Sequence, residues 1–335
     1  MDPDGRWLLT AWGGKRSLTR RRPGRGVVAT VTALKRLTLL AAVLVVAGCG
    51  RGAGTSEAKP VPPAAAVPAS STSHVVVIVM ENREYGRVMR GAPYVAGLAR
   101  TYASASSLFA IRHPSLPNYL ALTGGSTFGI GSDCTSCHVR STNLVDQLQA
   151  AHRSWKAYME GLPHPCYKGA RAGDYAKKHD PFLYYDDVAS SRRRCGHVVP
   201  ATQLGRDLRA RRLPTFAWIT PDLCDDTHDC SLTTGDRYLA RLVPSVLRGL
   251  GPHGVLILTW DEGDSDAGCC GVARGGQIAT VVAGPDVRRG TTIPGDLTHY
   301  STLRTIEDLL GLPPMRAAAS AASLDAAFTQ LPAIR

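Results

Sequence analysis

Four short apolar runs bounded by polar residues organise this chain: HVVVIVM (residues 74–80), TFAWIT (215–220), VLILTW (255–260) and IATVVAG (278–284). Continuous runs of this length, without polar alternation, predict strands buried on both faces, as in a parallel sheet covered by helices on either side. Between them lie longer stretches with apolar residues at helical spacing, APYVAGLARTYA, TNLVDQLQAAH, GDRYLARLVPSVLRGL and YSTLRTIEDLLG. The alternation predicts an α/β fold, a three-layer αβα sandwich around a mostly parallel central sheet. No internal repeat or second composition shift interrupts it, so one domain is expected over residues 73–335.

The chain before residue 73 follows a different pattern. A basic stretch ending in Lys35-Arg36 leads into LTLLAAVLVVAG and then Cys49. That run is short for a bilayer span and has the length of a signal-peptide core. The tetrad Val46-Ala47-Gly48-Cys49 resembles a bacterial lipobox, which would make Cys49 a lipidated mature N-terminus; ordinary signal cleavage nearby is the alternative. Residues 1–49 are therefore expected to be a signal segment, with VTALKRLTLLAAVLVVAGC sufficient by itself and the Arg-rich start over-extended. Residues 50–72, rich in Ala, Pro and Ser, are expected to be a tether. The protein is then extracytoplasmic, anchored to the membrane through Cys49 or secreted.

Charge and cysteine content fit that placement. The net charge of +12 is concentrated early, because the first 49 residues hold nine Lys/Arg and two Asp/Glu. The mild surplus that remains, without interleaved aromatics, argues against a nucleic-acid partner, and a monomer is expected. Apart from Cys49 there are eight cysteines, the even number expected in an oxidising compartment. Short spacings favour Cys134 with Cys137, Cys166 with Cys195 and Cys224 with Cys230. Cys269 and Cys270 are left as a vicinal pair or as partners for others. The competing reading of Cys134, Cys137 and His138 is a zinc site.

Candidate chemistry sits where strands end. The first runs into Glu81-Asn82, the second is followed by Asp222, Asp225, Asp226 and His228, and the third runs into Asp261-Glu262. Ligand sites in open α/β sheets lie beyond the carboxyl ends of the strands, so these segments should converge on one rim. Their oxygen-rich donors suit one hard divalent cation, Mg²⁺, Ca²⁺ or Mn²⁺ rather than Zn²⁺. In HPSLPNYLALTGG (113–125), Pro117 fits the first turn of a helix. Ser115 is then either a cap or a nucleophile beside a helix N-terminus that favours an anion. His113, His179, His228 and His299 could bind phosphoryl oxygens or protonate a leaving alkoxide.

VVVIVMENREY, HPSLPNYLALTGG, YAKKHDPF, TPDLCDDTHDCSLTTGDRYL, LTWDEGD and HYSTLRTIEDLLGLPP resemble, in order, the bacterial phosphoesterase family of the alkaline phosphatase superfamily. That family includes acid phosphatases and phospholipases C. The resemblance is closest to short secreted acid phosphatases, some acting on phosphatidylinositol 3-phosphate, and covers residues 74–314. It implies an alkaline phosphatase-like fold. It also implies that Glu81, Asn82, Ser115, Asp261 and Glu262 hold the metal, Ser115 being the nucleophile. Asn118 and His179 would contact phosphate, with His228 the general acid and His113 and His299 nearby. Asp222 stands where relatives often carry Asn, which leaves its role open. The implied reaction is hydrolysis of a phosphomonoester, including lipid phosphates, through a phosphoserine. The alternatives are a phospholipase C-type phosphodiesterase and a non-catalytic surface lipoprotein.

Overall fold

The computed structural model describes residues 64–334, all within one compact unit spanning Ser56–Arg335. The signal segment, the lipobox with Cys49 and most of the tether lie outside the described residues. The end of the expected tether departs from prediction. Ala64–Ala66 form a short 3₁₀ turn, Val67 is fully buried, and Arg248 Nε donates to the Val67 carbonyl. Val67 docks beside Gly249, where a Cβ would also crowd Leu208. A single apolar residue in a Pro/Ala-rich stretch leaves no periodicity to read, yet it suffices to dock the segment.

The strands are β1 (Val75–Met80), β2 (Ala103–Phe109), β3 (Trp155–Met159), β4 (Arg171–Ala172), β5 (Tyr175–Ala176), β6 (Val198–Pro200), β7 (Phe216–Thr220), β8 (Val255–Trp260), β9 (Gln277–Ala283), β10 (Thr291–Ile293) and β11 (Leu297–Thr298). β4 and β5 form a separate hairpin. The others make one nine-stranded sheet in the order β10-β2-β9-β8-β1-β7-β3-β6, with β11 beside β2. β1 lies centrally, parallel to β7 and β8, and every one of its side chains is buried. Both faces of the sheet are therefore covered.

The helices are α1 (Tyr85–Gly91), α2 (Pro93–Thr101), α3 (Ser115–Gly124), α4 (Leu144–Ala150), α5 (Asp186–Ala189), α6 (Arg192–Cys195), α7 (Thr202–Arg209), α8 (Leu232–Gly249) and α9 (His299–Leu310). α1, α2, α7 and α8 form one packed group, while α3 and α9 pair in another. The mixed α/β architecture with its mostly parallel sheet is the expected one.

IATVVAG does not run parallel. β9 is antiparallel to both β8 and β2, because residues 261–276 return the chain at the same rim without a crossover helix. That return brings Asp261–Asp266 to the carboxyl ends of β1 and β8.

The eight cysteines pair as Cys134–Cys137, Cys166–Cys195, Cys224–Cys230 and Cys269–Cys270. With Cys134 and Cys137 bonded to each other, the zinc reading of that segment fails, and the last two cysteines form the vicinal pair. Among the described residues no helix is long and apolar enough to cross a membrane.

Candidate active site

Glu81 follows directly from β1 and is fully buried. Its backbone is gripped by the loop after β7: Glu81 N–H donates to the Asp226 carbonyl at 2.8 Å, and Thr227 Oγ1 donates to the Glu81 carbonyl at 2.6 Å. The carboxylate receives Ser115 Oγ on Oε2 at 3.1 Å and the Tyr119 hydroxyl on Oε1. His179 Nε2 stands 3.2 Å from the same Oε2. Ser115 opens α3, only 1 % exposed, while Pro114 holds the cap position without a side-chain bond. Ser115 therefore aims its hydroxyl across the rim at a carboxylate and does not cap its own helix. Tyr119, four residues later on the same face, reaches the same carboxylate.

Asp261, at the end of β8, accepts the backbone N–H groups of Asn82 (3.1 Å) and Glu262 (2.6 Å) on Oδ1. Its buried Oδ2 has no partner. Asp226 likewise commits Oδ1 to the His228 N–H at 2.7 Å and leaves Oδ2 unbonded, 3.2 Å from His179 Nδ1. Burial, with Asp261 and Asp226 nearby, pushes the Glu81 carboxyl well above the usual range, and burial does the same to Asp226. His179 is driven the other way, well below its ordinary value, by burial and then by Lys178 and His228.

Of the five residues expected to hold a metal, Ser115 donates to Glu81 at the rim, and Asp261 lies there at the end of β8. Asn82, in the left-handed region at φ 54°, lines an open cleft with Arg83, His113 and Gly263–Asp266. Glu262 turns its carboxyl to His113 Nδ1 at 2.9 Å and Asn118 Nδ2 at 3.5 Å, and burial followed by Asp261 raises it to about 9. Beside Glu81 the fold brings His179 and His228, whose ligand atoms lie within 4.8 Å of those of Glu81. Three buried carboxylates crowd together with orphaned oxygens on Asp261 and Asp226, a donor set of oxygen plus imidazole. That set fits a divalent cation, since unpaired buried carboxylates are otherwise costly.

Asn118, expected to contact phosphate, is bonded to the loop before α3. Its Oδ1 accepts the N–H groups of Ile111 (2.9 Å) and Arg112 (3.1 Å), and its Nδ2 donates to the Arg112 and Pro114 carbonyls. The amide shapes the loop that delivers Ser115 while its Nδ2 also faces the Glu262 carboxylate. The helix N-terminus is also partly taken, because the Leu116 N–H donates to Asp133 Oδ1 at 3.0 Å. His299 Nε2 donates to the Asp261 carbonyl, and burial lowers this imidazole to about 4, so it braces Asp261 as a neutral ring. His113 joins Glu262 to the Ser265 carbonyl at 3.0 Å. His228 sits at the mouth, with Nδ1 2.6 Å from Asp229 Oδ1 and Nε2 accepting from Lys178 Nζ at 3.0 Å.

Tyr119, Lys178 and Asp133 were not singled out by sequence reasoning, whereas Asp226 stood among the strand-end residues. Tyr119 was signalled by its i+4 spacing from Ser115, and Lys178 by adjacency to His179. Asp133 carried no signal, because only folding sets it against α3. A second acidic group, Glu160, Asp222 and Asp225, explains itself locally. Asp222 Oδ1 caps the N–H groups of Cys224 and Asp225, and Glu160 accepts from the Asp222 N–H.

A family model described as the phosphoesterase family matches residues 89–313. The chain is 32 % identical over 295 residues to a phosphatidylinositol-3-phosphatase of Mycobacterium tuberculosis, covering 86 % of this chain and 94 % of that protein. It is 29 % identical over 223 residues to an acid phosphatase of Aspergillus fumigatus, covering 63 % of this chain and about half, 48 %, of the fungal protein. A solved structure of an alkaline phosphatase superfamily protein from Vibrio parahaemolyticus superposes with a TM-score of 0.51 at 12 % identity, over 78 % of this chain and 74 % of that one, a likeness of fold. The chain belongs to the phosphoesterase family and is a phosphoric ester hydrolase.

Proposed function

We propose that the protein is an extracytoplasmic, metal-dependent phosphomonoesterase that works through a phosphoserine at Ser115. The observation that carries this reading is the Ser115 hydroxyl on the Glu81 carboxylate at 3.1 Å, inside a cluster of unpaired carboxylate oxygens at the strand ends. A relative that is a phosphatidylinositol-3-phosphatase supports a monoester and makes a lipid phosphate a candidate substrate. The lipobox, the tether and four disulfides support a position outside the cytoplasm.

Glu81, Ser115 and Asp261, with Asp226 and His179 beside them, would hold the cation. When bound, it supplies Lewis acidity that favours the serine alkoxide and offsets phosphoryl charge. The chain's own residues account for the protons. Ser115 Oγ attacks phosphorus in line as its proton passes to Glu81, which already accepts the Ser115 hydroxyl. The ester oxygen departs with a proton from His228 at the mouth, leaving the phosphoryl group on Ser115. Water then attacks that phosphorus, returning a proton to His228, while Glu81 returns the serine proton. Asn118 and His299 position the attacking loop and Asp261.

A version of the protein beginning at Ala64 keeps the docked Val67 segment and is preferable for assay to one beginning at Ser73. On p-nitrophenyl phosphate it should turn over, lose activity on chelation and recover with added divalent metal, and prefer this monoester to bis-p-nitrophenyl phosphate. Ser115→Ala should reduce kcat at least about 1,000-fold with the fold intact. Preference for the diester would move the reading to a phospholipase C-type enzyme. Inactivity on both esters from folded, metal-loaded protein would reject it.

A further inference from the structure

The carboxylate cluster needs a cationic counterpart for a phosphoryl group, and the nearby arginines are engaged elsewhere. Arg83 donates to the carbonyls of Asn82 (2.6 Å) and Cys230 (2.9 Å), Arg112 to the His113 carbonyl, and Arg87 pairs with Asp264. Lys178 is placed differently. Its side chain is 21 % exposed, and Nζ lies 2.9 Å from Asp133 Oδ2 and 3.0 Å from His228 Nε2. An ammonium has three donors, and the third has no protein partner among the described residues.

Resting on the phosphoesterase reading of Ser115, we propose that Lys178, held by Asp133, binds a nonbridging phosphoryl oxygen and makes the site selective for dianionic monoesters over diesters.

The placement is registered against the nucleophile by one carboxylate. Asp133 Oδ2 holds Lys178 while Oδ1 holds the Leu116 N–H, the residue after Ser115. The Asp133 loop is closed by Cys134–Cys137 and tied down by Lys177 Nζ on the Thr135 carbonyl at 2.8 Å. Lys178 Nζ touches His228, whose ring nitrogen lies within 4.8 Å of the Glu81 carboxylate that carries Ser115 Oγ. Electrostatically, the ammonium acts on Glu81 and Glu262. A monoester dianion brings one more anionic oxygen than a diester, and a partly desolvated ammonium with a spare N–H rewards that charge.

The test compares metal-loaded wild type with Lys178→Met and Lys178→Arg. It measures kcat/KM on p-nitrophenyl phosphate and bis-p-nitrophenyl phosphate, and inorganic phosphate affinity by calorimetry. Lys178→Met should lose about 100-fold on the monoester, less than about 10-fold on the diester and at least about 10-fold in phosphate affinity. Lys178→Arg should restore most of the phosphate affinity. Equal losses on both esters with unchanged phosphate affinity would overturn the proposal. Should Lys178→Met fail to fold, Asp133→Asn, which loosens the lysine, takes its place with the same expected selectivity and the same overturning result. A wild type inactive on both esters would defeat the Ser115 reading, while the phosphate titrations would still decide the role of Lys178.

Discussion

Ser115, Asn118 and Tyr119 occupy one face of α3 and divide the labour there: the serine faces Glu81, the asparagine shapes the preceding loop, and the tyrosine holds the other Glu81 oxygen. The serine and asparagine were legible in the motif, but a motif gives no hydrogen-bond partners, so the hold of Asn118 on the Ile111–Pro114 backbone could not be read from it. Asp180 shows burial acting on a single carboxyl. It is wholly buried, accepts from the Tyr175 hydroxyl at 3.2 Å, leaves Oδ1 unpartnered, and is raised by burial to about 7 from 3.8. Between those values the folded state binds more protons than the unfolded state. Its contribution is therefore complete below pH 3.8 and is lost as pH rises through 7. Asp180→Asn, which cannot ionise, should gain about 2–3 kcal/mol more at pH 8 than at pH 5 by denaturant unfolding. An equal change at both pH values would contradict a neutral Asp180.

At the scale of elements, the four apolar runs became β1, β7, β8 and β9, and the helical stretches became α2, α4, α8 and α9. β2 and β3 escaped notice for physical reasons. β2 is ASASSLF, whose inward positions are Ala103, Ala105 and Leu108 and whose other face is serine. β3 is WKAYM, with a lysine inside the run that reaches Asp207 at 2.6 Å. The direction of β9 could not be read from its composition, because it depends on how residues 261–276 return. α9 begins with a capping box in which Thr298 accepts the Tyr300 N–H and Ser301 accepts the Thr298 N–H. This start sets His299 under the Asp261 carbonyl. Thr298→Ala should cost about 1 kcal/mol and lower Tm by about 2 °C. An unchanged melting curve would show that packing of α9 on α3 alone fixes that end.

Across the molecule, the sheet gathers segments distant in sequence at one rim: Glu81 after β1, Ser115 after β2, Lys178 and His179 after the β4–β5 hairpin, Asp226 and His228 after β7, and Asp261 after β8. The strand-end carboxylates announced this convergence in advance and the spacing of Tyr119 from Ser115 hinted at its place, whereas Asp133 joined it only through tertiary packing. Cys166–Cys195 closes the longest disulfide loop, at a separation of 29 residues; the other three pin local turns. The account turns on one covalent event at the centre of that rim. Metal-loaded protein should be mixed with p-nitrophenyl phosphate, quenched rapidly in acid, digested and analysed by mass spectrometry, with Ser115→Ala treated in parallel. The account predicts one phosphoryl group on the peptide carrying Ser115 and none in the variant. Steady turnover with no phosphorylated Ser115 peptide at any quench time, together with substantial activity in Ser115→Ala, would contradict it.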